Sequence, residues 1–115
     1  MSCAEICDKF YEAFQERNLE IINDLIDDNI ELMDWDVKVK GRENFLNVHK
    51  KIFNKIDDIK IIIKYRAIQK NHQSSNVFNE IEIRINNNTE KLNVVDIFEI
   101  ASKTNIITSV RAFKR

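Results

Sequence analysis

Residues Val77–Ile100 read VFNEIEIRINNNTEKLNVVDIFEI. Two runs in this stretch alternate with a period of two, the signature of half-buried β-strands. In the first, Val77, Ile81, Ile83 and Ile85 share one face, and Glu80, Glu82 and Arg84 share the other. In the second, Leu92, Val94, Phe98 and Ile100 fall in phase, and Asp96 falls in phase with them. Between the runs lies NNNTE, Asn86–Glu90, rich in residues that tolerate unusual backbone angles and so suited to a turn. The pair predicts an antiparallel hairpin with one apolar face and a carboxylate set in it.

The strand pattern extends both ways. Upstream, IKIIIKYRAI alternates, with Ile59, Ile61, Ile63, Tyr65 and Ala67 assigned to one face. The polar KNHQSSN joins it to the hairpin. Downstream, SKTN makes a turn and IITSVRAF a last strand. Short turns between consecutive strands predict antiparallel pairing.

The first half has mostly helical spacing. Cys3, Ile6, Cys7, Phe10, Ala13 and Phe14 form a stripe at steps of three and four. Asn18 is placed to cap a second, shorter helix whose inner face is Leu19, Ile22, Leu25 and Ile26. Asp27–Asn29 is expected to be the turn that ends it. IELMDWD then alternates, with Ile30, Leu32, Asp34 and Asp36 pointing one way. After Gly41 comes a third helix with Phe45, Val48, His49, Ile52 and Ile56 on its buried face. Helices grouped ahead of the sheet predict an α+β domain with the helices on one face.

Composition narrows the function. A chain of 115 residues is read as one domain, 1–115. Its net charge of −1 gives no whole-chain reason to expect nucleic acid or an anionic membrane as partner. No apolar run approaches a membrane span, and the N-terminus lacks the basic start and apolar core of a signal peptide, so a cytoplasmic location is expected. With one glycine in the chain there is no Gly-rich phosphate loop. Cys3 and Cys7 have no His pair at ligand spacing nearby, so they are read as reduced thiols, and no metal or cofactor is expected.

Three ionisable residues interrupt apolar registers: Asp34, His49 and Asp96. A buried carboxylate without partners costs several kcal/mol, so each needs a partner, a proton or a wet cavity. Arg111 is a candidate partner for Asp96. Asp34 has a turn backbone within reach, and His49 has an ordinary place in a core. A helix-covered, curved sheet also offers a pocket into which all three face.

The run FYEAFQERNLEIINDLIDDNIELMDWDVKVKGRENF, with VVDIFEI and IITSVRAF, resembles the SnoaL-like and ketosteroid isomerase-like families of the nuclear transport factor 2-like superfamily. The similarity spans about Cys3 to Phe113. It implies a cystatin-like, cone-shaped α+β barrel, a bent antiparallel sheet wrapped around three helices, with a deep pocket at the open end. It also implies a small, largely apolar ligand, isomerase-type proton transfer next to a carbonyl, and a homodimer through the outer sheet face. The general-base aspartate falls at Asp34, and the aspartate that donates to the oxyanion falls at Asp96. Phe10, Phe14, Trp35, His49 and Phe98 are expected to contact the ligand, with Trp35 as a rim or packed outside. The donor tyrosine of such sites falls at Phe10, which has no hydroxyl. Tyr11 is adjacent but about 100° round the helix, so it is not expected to replace it. A non-catalytic binding domain and a dimeric interaction domain are the other functions this resemblance leaves open.

Overall fold

A computed structural model describes residues Met1–Arg115. The elements in chain order are α1 (Cys3–Glu16), α2 (Leu19–Leu25), β1 (Ile26–Met33), β2 (Lys38–Lys40), α3 (Arg42–Lys55), β3 (Ile59–Lys70), β4 (Ser74–Ile85), β5 (Glu90–Ala101) and β6 (Ile107–Lys114). The six strands form one bent sheet in the order β2-β1-β6-β5-β4-β3. All neighbours are antiparallel except β1 and β6, which run parallel.

Local chemistry sets the helix ends. Ser2 and Glu5 form a capping box at α1: each side chain accepts the other's backbone N–H, at 3.1 and 3.0 Å. Asn18 caps α2 by accepting from Ile21 N at 3.2 Å. Gly41 opens α3 at φ +97°, a conformation that disfavours any side chain, and its N–H donates to Ile30 O at 2.8 Å. Arg42 then ties this corner to α2 and β1 through Ile26 O at 2.7 Å, Asn23 Oδ1 at 2.9 Å and Asp28 at 2.9 Å.

The hairpin forms as read. β4 and β5 pair over their full length, and Asn86, Asn87 and Asn88 all take positive φ in the turn. The inner sheet face and the helices enclose a core of 21 buried apolar residues. Phe53 joins it from α3, outside the stripe read from the sequence.

Two local expectations are corrected. Asp27–Asn29 is not a turn: α2 passes directly into β1, and those residues form an irregular strand segment where the register against β6 slips. In β3 the alternation breaks at Lys64, an extra residue between Ile63 opposite Ile81 and Tyr65 opposite Glu80. A bulge of one residue flips every later side chain to the other face. Tyr65 therefore points out, 64% exposed. Arg66 turns inward instead, where its Nε donates to Asn79 Oδ1 and its guanidinium lies 2.9 Å from Asp8. This polar group pins α1 to the sheet beside Cys7, whose thiol is pushed up to about 12 mainly by burial.

Candidate functional site

Between the sheet, α1 and α3 lies a cavity of about 650 Å³, within the range of small-molecule sites. Of its 24 lining residues, 18 are hydrophobic. The other six are Asp34, Asp36, His49, Lys51, Lys55 and Asp96. The three ionisable residues that interrupted apolar registers thus line one cavity.

Asp96 lies on the inner face of β5 and is 9% exposed. Its partner is Tyr11, whose hydroxyl donates to Asp96 Oδ2 at 2.7 Å. Burial raises the Asp96 carboxyl to about 7; the Tyr11 hydrogen bond opposes that rise, and the charge of Asp34 adds to it. The same burial, and the nearby Asp96 charge, push the Tyr11 hydroxyl well above its ordinary range. Near neutrality, then, the carboxyl is shared between a neutral and an anionic form, with Tyr11 a donor to either.

This pair corrects two expectations. Arg111 is not the partner: it sits opposite Ile97, on the outer face of the sheet, and is exposed. Tyr11 does supply a hydroxyl, although it lies off the row containing Phe10. Cys7, Tyr11 and Phe14 are spaced i, i+4, i+7 and make a second inward row beside Ile6, Phe10 and Ala13. Because the sheet bends around α1, both rows turn inward, and all of their residues but the half-buried Phe14 are buried. The Cys7–Tyr11–Phe14 spacing was the signal available in the sequence.

Asp34 lies one residue past β1. Its Oδ1 accepts from the backbone N–H groups of Asp36 and Val37, each at 2.7 Å, and its own N–H donates to Val37 O at 2.8 Å. The carboxylate therefore fixes the turn that carries Trp35, Asp36 and Val37 into the cavity wall. No protein donor reaches Oδ2. Trp35 is 42% exposed, with Lys114 Nζ 5.4 Å from its ring centroid, which makes it part of the rim.

His49 is held among aromatic rings: stacked on Phe45 at 4.4 Å, with Phe14 at 5.6 Å, Phe10 at 5.9 Å and Phe53 at 6.2 Å. Its Nδ1 lies 2.9 Å from Phe45 O. A carbonyl only accepts, so Nδ1 carries the proton and Nε2 is left as an acceptor. Burial holds the imidazole below its usual pKa, against the opposing pulls of the Phe45 carbonyl and the Asp34 charge. His49 is thus a neutral base in the wall.

Phe10 and Phe14 also line the cavity, but Phe98 does not. Phe98 shares the inner face with Asp96, two residues nearer the closed end. There the rings of Phe10 and Tyr11 cover it, with centroids 5.2 and 5.5 Å away, and it is fully buried. It supports the floor from beneath.

The SnoaL-like domain family model matches residues 4–99 of the chain. No curated protein sequence matches it significantly. Among solved structures, a dehydratase candidate of the nuclear transport factor 2-like family from Streptomyces avermitilis is similar at TM-score 0.83 and 14% identity, covering 97% of this chain and 93% of its own. A ketosteroid isomerase candidate from Shewanella frigidimarina superposes at TM-score 0.82 and 12% identity, covering 96% and 93%. A protein of unknown function with a cystatin-like fold from Nostoc punctiforme does so at 0.78 and 10%, covering 97% and 87%. At these identities the likeness is one of fold. It bears out the cystatin-like α+β architecture expected from the sequence. No helix is long and apolar enough to cross a membrane.

Proposed function

The chain belongs to the SnoaL-like domain family, and from that premise we propose that its cavity binds a small, largely apolar carbonyl compound and moves a proton next to the carbonyl. The fold's members include isomerases and epoxide hydrolases. The observation that carries the reading is the Tyr11–Asp96 hydrogen bond on the wall of a mostly apolar cavity.

The chemistry follows from the atoms. With Oδ2 engaged by Tyr11, neutral Asp96 offers its Oδ1–H to the ligand's carbonyl oxygen. As a proton leaves the neighbouring carbon, negative charge gathers on that oxygen and the hydrogen bond strengthens. The proton goes to Asp34, whose Oδ2 is unengaged while Oδ1 stays fixed in the turn. Returning that proton to a different carbon completes an isomerisation, with no other reactant consumed. His49 Nε2 orients a ligand hydroxyl by accepting from it. Because Asp96 acts as a donor, turnover declines as pH rises through about 7.

The test is turnover of a panel of β,γ-unsaturated ketones, followed by ultraviolet absorbance, with Asp34→Asn compared at unchanged circular dichroism. Loss of activity of about 10²-fold or more is expected, the scale on which single catalytic groups act. Retained activity in Asp34→Asn rules it out as the base.

One observation favours a second reading. The Asp34 carboxylate already has a structural task in its turn. A non-catalytic binding domain is supported if the ketones bind and none turns over. We further assign a second copy of the chain to the outer sheet face, where Tyr65, Phe78, Val95, Ile97 and Phe113 fall in adjacent cross-strand rows, and we place the protein in the cytoplasm, where Cys3 and Cys7 stay reduced.

A further inference from the structure

The cavity is polar at two levels. Asp96 and His49 are buried within it, whereas Lys51 and Lys55 are exposed where the C-terminal half of α3 borders it. The level of each group follows from its element. Along β5 the lining residues are Asp96, Val94 and Leu92, running from the covered ring of Phe98 toward the hairpin end. Along α3 they run from Val48 and His49 to Lys55, with Ile56 just past the helix end. At about 1.5 Å per helical residue, Lys55 stands about 9 Å beyond His49. At about 3.3 Å per strand residue, Leu92 stands about 13 Å beyond Asp96.

Neither lysine forms an ion pair. They occupy positions i and i+4 of one helix, an arrangement of like charges that weakens the helix unless an anion lies between or beside them. The acids at the mouth do not fill that role. Asp34 and Asp36 belong to the turn after β1, and neither pairs with Lys51 or Lys55.

We propose that the ligand is an amphipathic acid, with its carbonyl at Asp96 and Tyr11, an apolar body along the aliphatic wall, and an anionic head group beside Lys51 and Lys55 on the C-terminal half of α3. This deepens the reading of a carbonyl at Asp96 and rests on it. The lysines select the ligand by its far end while taking no part in the proton transfer.

The probes are 9-oxodecanoate, which carries a ketone and a carboxylate at opposite ends, the neutral decan-2-one, and the cationic 10-aminodecan-2-one. Trp35, the single tryptophan, lies in the cavity wall and reports binding by fluorescence. At low salt the oxo acid is expected to bind at least tenfold tighter than decan-2-one. The double variant Lys51→Gln/Lys55→Gln, altered only at exposed positions, is expected to erase that preference and leave decan-2-one unchanged. Equal binding of the two, a preference that survives the double variant, or tighter binding of the amino ketone overturns the anionic head group. An Asp96→Leu arm, which leaves no donor at this position and is compared at unchanged circular dichroism, separates the underlying reading: it is expected to weaken both ketones by the same factor. If neither ketone weakens while the lysine-dependent preference persists, the carbonyl placement is overturned and the head-group assignment stands.

Discussion

Replacing Asp96 with asparagine removes one titrating group and keeps its shape and its ability to accept from Tyr11. The Asp96 carboxyl is raised from 3.8 to about 7 in the folded chain. The folded state therefore holds a proton that the unfolded chain has already released. Stability from this group is fully present below about pH 4 and is lost as pH rises through about 7, with a slope of ~1.4 kcal/mol per pH unit between them. Over the whole interval that is roughly 4 kcal/mol as an upper value, reduced to the extent that water enters the cavity. His49 works the other way: its pKa is held low, so its contribution is present above about 6.5 and is lost as pH falls. Whole-protein curves mix the two. The difference between the wild-type chain and Asp96→Asn isolates the carboxyl. The assay is urea unfolding at half-unit steps from pH 4.5 to 8. The wild type is expected to lose stability relative to the variant steadily until about pH 7, then level off. A difference that stays flat across this range, or that rises with pH, refutes a protonated Asp96.

Two further outcomes test the surroundings. Tyr11→Phe removes a hydrogen bond that favours the anion, so the Asp96 midpoint, followed by carboxyl carbon NMR, should climb from about 7 by about one pH unit, the equivalent of a buried bond of ~1.5 kcal/mol; an unmoved or lower midpoint means the two groups do not interact. Val95→Glu sets a carboxylate opposite Glu80 and beside Phe113 on the outer face, and sedimentation velocity should report monomer for the variant against dimer for the wild type; a wild-type chain that stays monomeric at micromolar concentration removes this face as the partner surface.

The hairpin from Val77 to Ile100 was legible because strand periodicity is local. A half-buried strand must alternate, and the asparagines of its turn accept positive φ. The helices were legible for the same reason, down to Asn18 at its cap. Lys64 shows the limit. A run as apolar as IKIIIKYRAI alternates acceptably in either phase, and only pairing against β4 reveals the extra residue that turns Tyr65 out and Arg66 in. Asp27–Asn29 has turn composition yet lies within the strand as an irregular segment, because β6 pairs with β1 on both sides of it, at Ile26 and again from Glu31 on.

At the site, the sequence alone determined which residues were out of place: a charge in an apolar register is visible without coordinates, and Asp34, His49 and Asp96 were all found that way. Tertiary structure decided what each of them meets. Tyr11 reaches Asp96 across 85 positions of chain because the sheet bends far enough to bury two rows of α1. The same bend covers Phe98 and leaves Asp96, two residues along the same face, in the cavity wall. Periodicity fixes the face a side chain takes, since that depends on its own few neighbours. Depth along the face, and the partner waiting there, depend on how distant elements pack.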